Sequence, residues 1–82
     1  MPYYVYIAQC ADNTFYCGYT TNLQRRQNAH NHSKIGAKYT RTRRPLTIKY
    51  FEEFLTLSEA LRREHQLKKL SHTEKAKLTM VK

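Results

Sequence analysis

The stretch YVYIAQCADNTFYCG, residues 4–18, decides the fold. Tyr, Val, Ile and Phe crowd residues 3–10 and 14–19, with the turn-forming Asp12 and Asn13 between them. The chain therefore doubles back here as an antiparallel hairpin. Tyr6 falls on the first arm and Tyr16 on the second, with Gly18 just behind it. Strand side chains alternate faces, so the two phenols share a face only if the loop has an odd residue count or a bulge. That shared-face register is the one expected; a two-residue Asp12-Asn13 turn would contradict it.

Downstream, TTNLQRRQNAHN offers Thr21 or Asn22 as a helix cap, then Leu23, Arg26 and His30 at spacings of three and four, which puts Arg26 and His30 on one helical face. The run HSKIGAKYTRTRRP reads as a basic loop with one short helical turn, ended by Pro45. LTIKYFEEFL has the β-branched and aromatic character of a third strand, the minimum for a small antiparallel layer. Thr56 with Glu59, and Ser71 with Glu74, form capping boxes ahead of two further helices. The expected architecture is α+β: a three-stranded antiparallel sheet flanked by helices, in the order β-β-α-(short helix or loop)-β-α-α, with residues 1–82 as a single domain.

Composition narrows the function classes. The 82 residues carry 15 Lys plus Arg against 6 Asp plus Glu, a formal charge of +9. So large an excess points to a polyanionic partner, nucleic acid before an acidic protein or an anionic membrane; the plainer alternative is a solubilising surface. No apolar run is long enough to span a bilayer, and Met1 leads directly into the strand-like PYYVYIA, so a cytoplasmic protein without membrane attachment is expected. Cys10 and Cys17 have no Cys/His spacing for zinc and read as reduced, half-buried strand residues.

Projected at 100° per residue, Leu57, Ala60, Leu61 and Leu67 share one side of the penultimate helix, and Glu59, Arg62, Gln66 and Lys69 the other. Glu64 points with the leucines. A carboxylate there must be paired, protonated or metal-bound. The structural alternative is an ion pair between Glu64 and an arginine at the edge of the packed face. The tyrosines, Arg25, Arg26, His30 and His32 each have an equally plain reading as strand-packing or solvated residues.

Taken together, Tyr4-Val5-Tyr6, Tyr16-Cys17-Gly18, Arg26 and the Glu64-containing REHQLKK resemble the GIY-YIG nuclease family over most of the chain, from Tyr4 to about Leu70. The likeness is to the small stand-alone bacterial members, and also to the N-terminal nuclease domain of the excision-repair protein UvrC and to modules of homing and restriction endonucleases. The resemblance implies a metal-dependent endonuclease acting on DNA, in repair or processing, with Mg²⁺ or Mn²⁺ and no small-molecule cofactor. It implies that Tyr6 and Tyr16 are the motif tyrosines, one of which helps activate the attacking water. Arg26 would contact the scissile phosphate, and Glu64 would be the single carboxylate ligand of the metal. His30 matches a histidine of some members, Tyr19 a position that others fill with lysine or histidine, and Gly18 the glycine that permits close strand approach.

The chemistry suits these residue types. Arginine grips phosphate oxygens and keeps its proton, one carboxylate suffices for a cation that retains most of its waters, and a phenol serves as base only where a cation stabilises the phenolate. The two phenols are expected on one face, opposite both the Arg26 helix and the Glu64 helix, with Lys34, Lys38, Arg41, Arg43 and Arg44 beside that face, gripping the nucleic-acid backbone, and with RNA not excluded as substrate. The chain departs from the family in reading YVY for GIY, and in having no asparagine after Asn31, where several members place one near the position of Ala76. Two alternatives stay open: a nucleic-acid-binding module that keeps the fold without activity, and a basic adaptor for an acidic protein. Monomer is the default assembly.

Overall fold

The computed structural model describes residues 2–32 and 45–80, with His30 and His32 as backbone only. The expected short helical turn, and Lys34, Lys38, Arg41, Arg43 and Arg44, lie outside the described residues. Strands β1 (Tyr3–Gln9) and β2 (Phe15–Thr20) are followed by helix α1 (Leu23–His32), strand β3 (Thr47–Phe54), helix α2 (Leu57–Lys68) and helix α3 (His72–Met80).

The hairpin loop has an odd count. Cys10 N–H donates to the Thr14 carbonyl at 2.8 Å, which leaves residues 11–13 as a three-residue turn. Asn13 adopts φ 68°, the left-handed conformation that such loops need and that asparagine tolerates. Asp12 Oδ1 completes the turn by accepting from the Thr14 N–H and, at 2.6 Å, from the Thr14 hydroxyl. Tyr6 consequently lies opposite Gly18 and Tyr16 opposite Ala8, so both phenols stand on one face as the odd-loop register requires.

The sheet order is β2-β1-β3, all antiparallel, with β1 in the middle. Between β1 and β3 the register slips: Ile7 pairs with Tyr50 but Ala8 with Ile48, leaving Lys49 as a bulge. The slip puts Ile48 on the same face as Ala8 and Tyr6, whereas Tyr50 faces the other way. Two cores follow from this alternation. Val5, Ile7 and Cys17 pack with Ala60 and Leu67 beneath α2, flanked by Phe15, Tyr50, Phe54 and Leu78. Tyr6, Ala8, Cys10 and Leu46 pack on the opposite face with Tyr16, Leu23 and Ile48 beneath α1. Tyr6, Ile7, Leu46, Leu67 and Val5 are fully buried, each such side chain contributing about 1.5–3 kcal/mol.

Caps fix the helices. Asn22 Oδ1 accepts from Arg25 N–H at 3.0 Å, so Asn22 rather than Thr21 starts α1. Thr56 accepts from Glu59 N–H, and Ser71 and Glu74 exchange backbone-to-side-chain hydrogen bonds reciprocally. Gln27 and Asn31, one turn apart on α1, bond the backbone of Ile48 and Leu46 and so cover part of this edge strand. On the other face Arg63 straddles the Glu52 carboxylate with bonds of 2.9–3.1 Å, and Tyr50 donates to the same group.

Three expectations need correction. Leu57 and Leu61 are 39% and 40% exposed, because α2 buries only Ala60 and Leu67 against the narrow sheet. Cys10 and Cys17 are free but buried rather than half-buried, and they sit in opposite cores. The helices bearing Arg26 and Glu64 do not both oppose the phenol face; they pack on opposite faces of the sheet.

Candidate active site

The two half-sites meet around the free edge of β2. A cleft of about 440 Å³ is lined there by Tyr16, Gly18, Tyr19, Thr20 and Thr21 from β2 and its exit, by Arg26 from α1, and by Glu64 from α2. The sequence had marked Tyr16, Gly18, Tyr19, Arg26 and Glu64; the structure brings these five together. Thr20 and Thr21 were missed as lining residues, since nothing in a threonine pair after a strand distinguishes a cleft wall from a helix lead-in.

Tyr6 stands apart from the cleft surface. It is fully buried, under Leu46 and Ala8, with its ring centroid 6.4 Å from that of Tyr16. Its phenol lies across Gly18: a Cβ at that position would come within 2.7 Å of the Tyr6 oxygen. The glycine is required by the ring, not by any unusual backbone angle. Arg26 Nε–H donates to the Tyr6 hydroxyl at 3.3 Å, which orients the guanidinium toward the cleft floor. Burial pushes the Tyr6 phenol up to about 12, and the neighbouring Arg26 charge offsets only part of that rise. Tyr6 is therefore a neutral hydroxyl at ordinary pH. The Tyr6 bond in turn raises Arg26 above its usual range, with burial working the other way, so the guanidinium stays charged.

Glu64 is 16% exposed at its side chain, and its Oε2 lies 3.8 Å from Lys68 Nζ, a loose pair one helical turn away. Among the described residues Glu64 makes no ion pair with an arginine, and the adjacent Arg63 turns instead to Glu52. Among the described residues no three His, Cys, Asp or Glu side chains gather, which is not a zinc donor set. One carboxylate at the wall of a wide cleft does fit Mg²⁺ or Mn²⁺, which draw their remaining ligands from water and phosphate oxygens. His30 follows Arg26 by one turn of α1. No helix among the described residues is long and apolar enough to cross a membrane.

The family model of the GIY-YIG catalytic domain matches residues 2–77. The chain belongs to the GIY-YIG family. GIY-YIG domains are in general nucleases that act on nucleic acid with a divalent metal ion. The chain is similar to a UPF0213 protein of Staphylococcus haemolyticus, 51% identical over 76 residues that cover 93% of this chain and 92% of the relative. A UPF0213 protein of Halobacterium salinarum is 49% identical over 76 residues, covering 93% and 97%. Among solved structures, the NMR structure of a UPF0213 protein from Bacillus halodurans superposes with a TM-score of 0.61 at 43% identity, covering 100% of this chain and 86% of the other. An E. faecalis protein gives 0.62 at 44% identity, covering 92% and 79%. The α+β GIY-YIG fold is thus shared by sequence and by shape, whereas the UPF0213 names specify no activity.

Proposed function

We propose that this GIY-YIG chain is a metal-dependent endonuclease that hydrolyses DNA phosphodiester bonds at the β2 edge cleft. The observation that carries the reading is the convergence of Tyr16, Arg26 and Glu64 on one cleft from three separate elements. Arg26, its Nε held by Tyr6, presents its terminal N–H groups to the non-bridging phosphate oxygens, where charge accumulates as the attacking oxygen approaches. Glu64 would hold Mg²⁺ or Mn²⁺, and the bound cation would supply Lewis acidity to the reaction. Tyr16 lines the cleft whereas Tyr6 is fully buried, so of the two phenols Tyr16 is the one that orients the attacking water and takes its proton. Tyr6 is a positioning residue for Arg26, with His30 beyond it. Tyr19, Lys34, Lys38, Arg41, Arg43 and Arg44 hold the nucleic-acid backbone without reading sequence. The chain works as one cytoplasmic domain spanning 1–82, and as a monomer with one set of groups it nicks a single strand.

Supercoiled plasmid incubated with Mg²⁺ or Mn²⁺ tests this, with EDTA, Glu64→Ala and Arg26→Ala as controls. Metal-dependent nicking lost in both variants is the expected result. A second reading is favoured by Ala76 standing on α3 near where the family's asparagine falls: a domain that binds nucleic acid and does not cut it. Equal DNA binding by wild type and variants, with no cleavage by any, selects that reading.

A further inference from the structure

The phenol face of the sheet continues past α1 into a second groove of about 510 Å³, a size typical of small-ligand sites. Phe51 on β3 forms its floor, opposite Tyr6 in register and 54% exposed. Tyr4 meets that ring edge to face at a centroid distance of 5.9 Å, so the aromatic platform is held at a fixed tilt. Polar groups stand around it: Thr21 and Asn22 at the start of α1, and Glu53, paired across the strands with Tyr4. Thr21 also lines the β2 edge cleft, so the two depressions adjoin at this residue. Phe51 and Gly18 flank Tyr6 on its two neighbouring strands, which separates platform and cleft by two strand spacings, on the order of 10 Å.

An exposed ring beside a cleft that presents the Arg26 guanidinium, on a chain of formal charge +9, has the composition of a single-strand binding surface, in which bases stack on aromatics while cations follow the backbone. We infer that Phe51, held at its tilt by the edge-to-face contact with Tyr4, stacks an unpaired nucleobase of the strand whose phosphate sits against Arg26. A base must leave its duplex to lie flat on the ring, so the preferred substrate class is single-stranded or frayed nucleic acid rather than continuous duplex. Glu53, a carboxylate acceptor, favours a base with an exocyclic amino group, as on cytosine. The inference rests on the nucleic-acid reading above and specifies its substrate.

The test uses a twelve-nucleotide oligo-dC strand and a blunt hairpin duplex, titrated in EDTA so that binding is read apart from cutting. Phe51→Leu, with its fold checked by circular dichroism, is expected to bind the strand about fivefold to a hundredfold more weakly, while duplex affinity stays within about twofold. The chain contains no tryptophan, so Phe51→Trp adds a sole reporter on the platform. Its emission should be quenched by the strand and not by heparin, which offers charge without bases. Phe51→Leu binding like wild type, or the same Trp emission with strand as with heparin, would overturn the inference. Quenching without Mg²⁺- or Mn²⁺-dependent cleavage of either the plasmid or the oligo-dC strand leaves stacking standing and removes the nuclease reading; cleavage without quenching does the reverse. If wild type neither binds strand nor cuts plasmid, both fall.

Discussion

Adding one methyl group at Gly18 should damage the fold and the candidate site together. The alanine Cβ would lie 2.7 Å from the Tyr6 oxygen, 2.9 Å from its Cζ and 3.3 Å from Tyr16 Cε2. Ordinary contact begins near 3.4 Å, so the Tyr6 ring must retreat by about 0.7 Å. That ring is fully buried among Ala8, Cys10 and Leu46, and overpacking of this kind costs about 1–3 kcal/mol. Moving the hydroxyl also weakens its already long bond from Arg26, a further loss on the order of 0.5–1.5 kcal/mol. Against this, replacing a mid-strand glycine returns roughly 0.5–1 kcal/mol. The net expectation for Gly18→Ala is a loss of about 1–3 kcal/mol, or roughly 5–20 °C in Tm for a domain of this size. Urea melts followed by circular dichroism measure it, in wild type and in a Tyr6→Phe background. Removing the hydroxyl deletes the nearest clashing atom, so the alanine should cost at least about 0.5 kcal/mol less there. A Gly18→Ala protein as stable as wild type would refute the account, and so would strict additivity with Tyr6→Phe.

Three further outcomes are expected. Since burial raises the Tyr6 phenol to about 12, the unfolded chain releases this proton first, from about pH 10. Stability linked to Tyr6 is therefore complete below pH 10 and is lost as pH rises toward 12; absorbance at 295 nm should show a late-titrating tyrosine that Tyr6→Phe removes. Burial alone would raise Glu52, but the bonds from Arg63 and Tyr50 prevail and hold it below the usual carboxylate range. Its contribution is present above an unfolded pKa of about 4.3 and falls away in more acid solution, so Glu52→Gln should show a shallower loss of stability from pH 5 to pH 2 in denaturant melts; an unchanged slope contradicts the clamp. Arg26→Lys should cut plasmid on the order of a hundredfold more slowly or worse, because an ammonium cannot hold Tyr6 through Nε while gripping two phosphate oxygens. Near-normal rates in that variant would show that charge alone suffices.

Much of this molecule is legible in its sequence. The hairpin register follows from turn chemistry, since an asparagine able to take φ 68° closes a three-residue loop and thereby puts Tyr6 and Tyr16 on one face. Both capping boxes and the inward turn of Glu64 follow from spacing. Other features depend on partners distant in the chain. Alternation tells which residues share a face but not that β1 is central or that Lys49 bulges. A helical projection gives the direction of an apolar stripe and not the width of sheet available to cover it, which is why Leu57 and Leu61 remain exposed. Gln27 and Asn31 read as ordinary polar residues until β3 presents its backbone to them.

The placement of α1 and α2 on opposite faces of the sheet makes it a septum through the site. Arg26 and its Tyr6 support belong to one compartment and Glu64 to the other, and they share only the edge strand. Repacking beneath α1 can thus re-aim the phosphate grip without disturbing the carboxylate, and changes beneath α2 can shift the carboxylate without unseating the arginine. Selection can adjust the two halves of the site separately, with β2 as the common rail that keeps them in register.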